Sequence, residues 1–353
     1  MKNSFTENEK YFAAANGYAG FVSYFDKVFA SREYDGIFVL KGGPGTGKSS
    51  FMRKMGAKLK SEGCNTEEIY CSSDPKSLDG IICTLGERKA ALLDGTAPHE
   101  RDAKIPGAID VIINLGHNWD EEWLRAAREE ILSLTKEKSD AYKRAYFYLR
   151  ICGACREEIR EAEMNACDAK KLKNKAKNLA ESIAKGGEGK EKTRLISSFG
   201  RYGKYRLDTL ESISESIFSP VGCESEKELF MRMLYSELKD ISSDMTVCPS
   251  PFDGSIIEAI YLPRERVCVS LDSSGERIDL ASLASEKSSV YEEGVKTARN
   301  ILRDALAESE RWFAIASDLH FRLEEIYSRA MNFDKNDELY EQYLDKMLGL
   351  LKS

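Results

Sequence analysis

Short apolar runs alternate with amphipathic stretches along the first third of the chain. The run GIFVL at Gly36–Leu40 is rich in β-branched residues and is typical of a buried parallel strand. A glycine-rich turn follows, and then SSFMRKMGAKLKSEG, which predicts a helix ending near Gly63. Two more apolar runs, within Glu67–Asp74 and Arg88–His99, end in polar residues and predict two further strands. The alternation predicts an α/β fold, with mostly parallel strands flanked by helices.

The turn after the first predicted strand matches the whole pattern G-x-x-x-x-G-K-[ST], the phosphate-binding loop (P-loop) known as Walker A. Glycines let successive backbone N–H groups converge on phosphate oxygens, and the following helix N-terminus adds a partial positive charge. We therefore predict a site for ATP and Mg²⁺, with an ordinary glycine turn as the alternative. The predicted nucleotide-binding residues are Gly42, Gly43, Pro44, Gly45, Thr46, Gly47, Lys48, Ser49 and Ser50.

Carboxylates that follow the next strands are expected beside this loop, because ligands of open α/β sheets bind outside the carboxyl ends of the strands. Asp94 ends an apolar run 46 residues after Lys48, the position of a Walker B aspartate that holds Mg²⁺ through water. Gly95 follows it, where ATP-hydrolysing proteins often carry a catalytic carboxylate. Asp74 and His99 are the substitutes that the sequence offers for this base, although either could equally cap a loop. The predicted catalytic residues are Lys48, Asp94, Asp74 and His99, and the predicted metal ligands are Ser49 and Asp94.

A second segment, FSPVGCESEKELFMRM at Phe218–Met233, repeats features of the first loop. Both segments carry Phe-Met-Arg three residues after a lysine, which is Lys48 in the first and Lys227 in the second. Asp272 follows Lys227 by 45 residues, close to the 46 that separate Lys48 from Asp94. These matched spacings predict an internal duplication, and therefore two tandem P-loop NTPase modules.

The second loop is altered in a way that predicts loss of triphosphate binding. Acidic side chains stand where the first loop has two glycines and the serine, and they would crowd the space of the phosphates. A carboxylate about 4 Å from a phosphate oxygen costs roughly 1 kcal/mol in water and about 4 kcal/mol in a partly buried site. The second module is therefore predicted to be a degenerate P-loop. The three replacements are Glu224, Glu226 and Glu228.

A long helical pattern follows each module. From Glu121 onward apolar residues recur at spacings of three, four and seven, with Asp120 as the predicted N-cap, and Tyr291–Ile326 has a similar pattern. We expect these two stretches to pack together as a helical hairpin or bundle. The predicted domains are 1–120, a module with an intact Walker A; 121–190, a long helical region with a basic linker; 191–284, the degenerate module; and 285–353, a C-terminal helical region.

Composition narrows the possible partners and the location. The net charge of −7 argues against broad, non-specific nucleic-acid binding, which needs a basic surface. The chain has no run of about 18 apolar residues, so no membrane span is predicted. Nine cysteines without a secretory signal favour reduced thiols and a cytoplasmic location. The expected partners are a nucleoside triphosphate and either a protein or a small-molecule substrate that the sequence does not identify. No recognisable guanine-reading motif appears, which favours ATP over GTP.

Three phrases carry a resemblance to a known family: CSSDPKSLDG at Cys71–Gly80, LLDGTAPH at Leu92–His99 and PGAIDVIINLGHNWD at Pro106–Asp120. With the two repeats, they resemble a family of uncharacterised bacterial ATPase-like proteins that carry two tandem P-loop modules. The resemblance covers nearly the whole chain and implies a tandem P-loop fold and ATP binding. Both modules commonly look intact in that family, so the three glutamates are a departure. On the resemblance alone, DGTAPH and NLGHNWD are expected to be substrate or sensor loops.

Three functions agree with these patterns. The first is an Mg²⁺-dependent ATPase that hydrolyses ATP at the first loop and uses it to move the helical region. The second is a phosphotransferase for a small molecule, with Asp74 or His99 near the acceptor. The third is an ATP-binding switch or scaffold with negligible turnover, in which the altered repeat serves partners.

Overall fold

The computed structural model describes residues 9–98, 100–165, 167–280 and 289–353. Its two halves contain the same series of eight strands, and one short helix of the first half has no counterpart among the described residues of the second. The first half consists of β1 (Glu9–Phe12), β2 (Ala14–Gly17), β3 (Gly20–Ser23), α1 (Phe25–Val28), β4 (Gly36–Lys41), α2 (Lys48–Ser61), β5 (Asn65–Tyr70), β6 (Leu78–Leu85), β7 (Arg88–Asp94), β8 (Asp110–Asn114), α3 (Glu121–Ala126), α4 (Arg128–Met164) and α5 (Ala169–Ile183). The second half consists of β9 (Glu191–Thr193), β10 (Ser197–Gly200), β11 (Gly203–Arg206), α6 (Thr209–Ile213), β12 (Ser216–Val221), α7 (Glu224–Asp240), β13 (Met245–Pro249), β14 (Ile257–Leu262), β15 (Val267–Ser270), β16 (Glu276–Asp279), α8 (Ser289–Arg329) and α9 (Phe333–Lys352).

Each half contains a six-stranded, mostly parallel sheet, and the two sheets have one topology. The strand order is β1-β5-β6-β7-β4-β8 in the first sheet and β9-β13-β14-β15-β12-β16 in the second. In both sheets the third strand of this order is antiparallel to its two neighbours, and the other pairings are parallel. A two-stranded hairpin, β2–β3 or β10–β11, follows the first strand of each half. The repeat that the spacings predict is therefore present in the topology.

The antiparallel strand β6 was not predicted from the hydrophobic pattern. It lies between the two predicted strands and is joined to β7 by a tight turn, in which Gly86 has a φ of +60° and Leu85 pairs with Arg88. A two-residue turn of this kind makes an antiparallel hairpin instead of a crossover. The sheet therefore mixes both strand directions, although the parallel strands β4 and β7 lie next to each other as an α/β arrangement requires.

The two sheets pack against each other through one shared hydrophobic core. Ile37, Val39 and Ile69 of the first sheet belong to the same buried cluster as Cys248 and Cys268 of the second. Helices cover the two outer faces: α2 and α9 lie on the first sheet, and α5 and α7 lie on the second. The continuous apolar composition of β4 follows from this arrangement, because the strand is buried on both faces.

The short helix at the end of each half packs on the sheet of the other half. Helix α5 comes from the first half, yet Leu172 and Ala176 are buried against Phe230 and other residues of the second. Helix α9 comes from the second half, and its residues fill the core between α2 and the first sheet. The buried residues of α9 in that core are Tyr340, Leu344, Met347 and Leu351.

The long helices α4 and α8 pack side by side, as predicted. Leu134 of α4 shares a cluster with Leu323 of α8, whereas Ala145 accepts a hydrogen bond from the Ser309 hydroxyl at 3.0 Å. Since the contacts run in opposite directions along the two helices, the pair is antiparallel. The predicted N-cap is also present: Asp120 accepts the Trp123 N–H at 3.0 Å. No helix among the described residues is both long and apolar enough to cross a membrane.

Candidate functional site

The glycine-rich turn between β4 and α2 has a backbone that only glycine adopts easily. Gly42, Gly45 and Gly47 have φ values of +151°, +69° and +84°. Gly47 is the N-cap of α2 and provides no side-chain acceptor, so the first N–H groups of this helix lack a cap. The Thr46 hydroxyl donates to the Gly43 carbonyl at 2.9 Å and holds the turn closed. The turn thus presents backbone donors at a helix N-terminus, the arrangement that suits an anion.

Lys48 folds back over this loop. Its Nζ donates to the carbonyl oxygens of Gly42 and Gly43, each at 2.8 Å, and lies 3.6 Å from Oδ2 of Asp94. The side chains of the lysine and the aspartate are only 11% and 13% exposed. Asp94 reaches this position because β7 runs parallel to β4, with Asp94 directly opposite Leu40. The structure therefore brings together the lysine and the aspartate that the spacing suggested.

Both predicted metal ligands accept hydrogen bonds, but each keeps an oxygen lone pair that a metal ion can use. Oδ1 of Asp94 accepts the N–H of Thr96 at 2.8 Å and the Thr96 hydroxyl at 2.6 Å, which fixes the orientation of the carboxylate. The Ser49 hydroxyl accepts the Leu78 N–H at 2.9 Å and keeps a second lone pair. Either oxygen could serve as a ligand for Mg²⁺, a cation that prefers oxygen.

The other two predicted catalytic residues have weaker support. Oδ1 of Asp74 accepts the Lys76 N–H at 3.1 Å in a short turn, which is the loop-capping role that the sequence left open. His99 lies outside the residues that the structure describes. Neither residue emerges as the base for proton transfer.

Three side chains of the long helices, which the sequence did not single out, interact electrostatically with one another, and two of them also with Lys48. Glu324 of α8 has its backbone oxygen beside Gly45, and its carboxylate interacts with the charge of Lys48. His320, one turn earlier, has Nε2 3.6 Å from Oε1 of Glu324. Lys138 comes from α4 and has neither a hydrogen bond nor an ion pair within 4 Å among the described residues, although the charge of Glu324 acts on it. The only sequence signal was the i,i+4 spacing of His320 and Glu324, which is common on helices.

Burial and neighbouring charges determine the ionisation of these groups. Burial raises the pKa of Glu324, and the charge of Asp74 raises it further, while Lys48 and the nearby backbone N–H act in the opposite direction. Burial, together with the positive charges of Lys138 and Lys48, lowers the pKa of His320 to about 4. His320 is therefore neutral at pH 7.

Helices α8 and α9 hold the loop from outside. The Ser328 hydroxyl donates to the Gly45 carbonyl at 2.9 Å, and Nδ2 of Asn336 donates to the Thr46 carbonyl at 3.0 Å. A Cβ added at Gly45 would lie 2.3 Å from the backbone oxygen of Glu324. The loop and the last turns of α8 are therefore in direct contact.

The corresponding loop of the second repeat is closed by its own side chains. Cys223 is the extended N-cap of α7, and its N–H donates to Oε2 of Glu226 at 3.0 Å in a capping box. Oε1 of Glu224 lies 2.5 Å from Nζ of Lys227, the lysine that aligns with Lys48. No residue from 221 to 227 has a positive φ, so the backbone does not curl as the first loop does.

Helix α4 supplies further groups to the second loop. Oε2 of Glu163 accepts the N–H of Ser225 at 3.1 Å and its hydroxyl at 2.7 Å, and Oε1 accepts from Arg299 at 2.8 Å. Burial opposes the charge of Glu163, but these hydrogen bonds outweigh burial and lower its pKa. A carboxylate of the protein itself thus occupies the helix N-terminus where an anion would bind.

The last of the three acidic replacements is also paired. Glu228, which aligns with Ser49, lies 2.6 Å from a nitrogen of Arg156 and 3.4 Å from one of Arg160. Each of the three glutamates predicted to block phosphates therefore has a partner within the protein.

No group of three or more His, Cys, Asp or Glu side chains is arranged to hold a metal ion in the described part of the chain. A Mg²⁺ ion at Ser49 and Asp94 would take its other ligands from phosphate oxygens and water, as magnesium commonly does in nucleotide sites. The fold and this site define a two-repeat α/β protein in which one loop is glycine-rich and the other is satisfied by the protein's own carboxylates. Comparison with protein-family models, with curated proteins and with solved structures gave no match to this chain.

Proposed function

We propose that this protein is an Mg²⁺-dependent ATPase, which binds and hydrolyses ATP at the glycine loop of its first repeat. The observation that carries the proposal is the position of Lys48, whose Nζ lies over the Gly42 and Gly43 carbonyls and faces Asp94. In P-loop NTPases such a lysine contacts the β- and γ-phosphates, while a serine and an aspartate hold the metal ion. The resemblance to tandem P-loop proteins supports the same site.

The loop favours the binding of an anion over the binding of a neutral ligand. Backbone N–H groups at the start of α2 lack a cap, and the helix dipole adds partial positive charge there. When phosphates enter, Lys48 exchanges two neutral carbonyl acceptors for charged oxygens, which form stronger hydrogen bonds. Magnesium would supply the remaining positive charge between the phosphates and Asp94.

The second repeat supports a stoichiometry of one nucleotide per chain. Its helix N-terminus is already satisfied by the capping box of Glu226 and by the carboxylate of Glu163. Lys227 is neutralised by Glu224. A triphosphate would have to displace two carboxylates held by hydrogen bonds, so we propose that this repeat does not bind ATP.

Calorimetry with MgATP and MgGTP, combined with a phosphate-release assay, tests this function. We expect one MgATP site per chain and steady release of phosphate. Lys48→Ala should weaken binding roughly 10- to 150-fold, the value of a lost charge-assisted hydrogen bond. Lys227→Ala is the matched control, because it removes the equivalent lysine of the second repeat, and it should leave binding unchanged.

Other results would change the proposal in defined ways. Two nucleotides per chain, or none at saturating magnesium, would contradict it. Transfer of the phosphoryl group to a metabolite instead of water would indicate the phosphotransferase alternative. Binding without turnover would reduce the function to an ATP-dependent switch or scaffold.

A further inference from the structure

Among the described carboxylates around the glycine loop, Glu324 is the one whose position and partners suit a role in proton transfer. Asp94 faces Lys48 through one oxygen and Thr96 through the other. Asp74 has an oxygen engaged by the Lys76 N–H, and Gly95 has no side chain. Glu324, in contrast, has its backbone oxygen beside Gly45, 2.3 Å from where a Cβ there would be, and its carboxylate interacts with the charge of Lys48.

The backbone that carries Glu324 is fixed to the loop. The Ser328 hydroxyl holds the Gly45 carbonyl, and Asn336 holds the Thr46 carbonyl. A phosphate at the Gly45 N–H would repel the carboxylate, so the Glu324 side chain would turn aside while its backbone stayed in place. The carboxylate would then lie next to the terminal phosphate, where an attacking water has to be held.

The two repeats differ at this position in a way that matches their loops. Glu324 precedes Asn332, the N-cap of α9, by eight residues, and Arg160 precedes Asp168, the N-cap of α5, by the same number. Arg160 lies 3.4 Å from Glu228 at the closed second loop. The glycine loop of the first repeat therefore meets an acid from the opposite long helix, whereas the closed loop of the second repeat meets a base.

We infer that Glu324, supplied by the long helix of the second repeat, orients the water that attacks the γ-phosphate and accepts its proton. This inference rests on the proposed ATPase function. The water oxygen forms a bond to the γ-phosphorus, and the bond between that phosphorus and the bridging oxygen breaks, with its electron pair leaving on ADP. One water proton passes to the Glu324 carboxylate and then to solvent, so that the products are ADP and phosphate.

This arrangement has a distinctive kinetic signature. A carboxylate so close to the loop repels the oxygens of an incoming phosphate. Removal of its charge should therefore slow turnover without weakening ATP binding, and binding should stay the same or become tighter. A residue that merely supports the fold would instead lower affinity and turnover together.

The test compares Glu324→Gln with Glu325→Gln. Glu325 is the next residue on α8, is 65% exposed and pairs with Arg329 on the surface, so it is a matched control. We would measure affinity by calorimetry with a non-hydrolysable ATP analogue and turnover by single-turnover phosphate release. Glu324→Gln should lower turnover by roughly 10²- to 10⁴-fold, the usual contribution of a general base, with affinity retained. Glu325→Gln should behave as wild type.

Glu324→Asp keeps the charge on a shorter side chain and should restore part of the turnover, which also guards against misfolding of the glutamine variant. Turnover of Glu324→Gln within about threefold of wild type would overturn the inference and leave ATP hydrolysis standing. A wild-type protein that binds MgATP without hydrolysing it would overturn the inference but not the binding site. A wild-type protein that binds no MgATP would overturn both.

Discussion

The hydroxyl of Ser328 donates a hydrogen bond to the carbonyl oxygen of Gly45 at 2.9 Å. This bond joins the end of a 41-residue helix of the second repeat to the glycine loop of the first. Any ligand that reshapes the loop therefore acts on the helix directly. Because α8 packs along α4, and α4 carries Glu163 to the second loop, the two loops are connected through one helical pair.

Replacement of Gly45 by alanine should be more damaging than the same change at Gly86. The two glycines have similar φ values, +69° and +60°, so alanine is strained at both by about 1–2 kcal/mol. A Cβ at Gly86 meets no atom within 4 Å, whereas at Gly45 it would lie 2.3 Å from the Glu324 backbone oxygen. We expect Gly45→Ala to cost about 1–3 kcal/mol more in the free energy of unfolding. Urea denaturation measures both, and equal losses would mean that α8 does not press on the loop.

Removal of Glu163 should destabilise the protein. Glu163→Ala leaves the Ser225 N–H and hydroxyl without their acceptor at a site that is 3% exposed. We expect a loss of about 1.5–3 kcal/mol in the free energy of unfolding. Glu161→Ala, at an exposed position of the same helix, is the control and should change stability by less than about 0.5 kcal/mol.

The contribution of Glu163 should also depend on pH. Since its hydrogen bonds lower its pKa in the folded protein, the folded state binds the proton less readily than the unfolded state. The stability that wild type gains over Glu163→Ala should be fully present above the unfolded pKa of about 4.3. It should be lost as the pH falls through the folded pKa. Denaturation at pH 7 and at successively lower pH would show this, and a difference that does not change with pH would contradict it.

His320 should make the protein less stable in mild acid. Its folded pKa of about 4 lies below the usual value of about 6.5, so protonation favours the unfolded state between these pH values. The facing charges are Lys138 and Lys48, which oppose the imidazolium, and Asp94 and Glu324, which favour it. Wild type should lose stability relative to His320→Gln as the pH falls from about 6.5 towards 4. NMR titration of the imidazole checks the pKa itself, and a midpoint near 6.5 would contradict this prediction.

A smaller side chain on the core-facing side of α9 should destabilise the first sheet, although α9 belongs to the second half of the chain. Leu344 is buried in the core formed by α2 and the first sheet, so Leu344→Ala should cost about 2–5 kcal/mol. Leu132→Ala is the control, because Leu132 is 52% exposed and little apolar surface is lost there. Hydrogen exchange should become faster in β4 and β7 of the Leu344 variant. Faster exchange confined to the second sheet would contradict the packing.

Local chemistry made part of this protein predictable. The glycine loop, the strand before it and the N-cap Asp120 depend on residues close in sequence, and the structure has each of them. The duplication was also visible, because the spacing from Lys227 to Asp272 nearly matches that from Lys48 to Asp94. The hydrophobic pattern did not predict strand β6, because the glycine turn that joins it to β7 was not recognised.

The partners of the loop were beyond the reach of sequence patterns. Glu324 and His320 lie far from Lys48 in the chain, and they interact with its charge only because α8 folds back across both repeats. A histidine and a glutamate one helical turn apart are ordinary on an exposed face. The exchange of α5 and α9 was equally hidden, because an amphipathic helix records that it has a buried face but not which sheet covers that face.

That exchange has a consequence for the origin of the chain. A single-repeat ancestor with the same packing would have had to lend its last helix to another molecule and receive one in return. Such an ancestor would have been a twofold-symmetric homodimer with two identical loops. Fusion of two copies would have freed one loop from the requirement to match the other. The protein's own side chains could then close that loop.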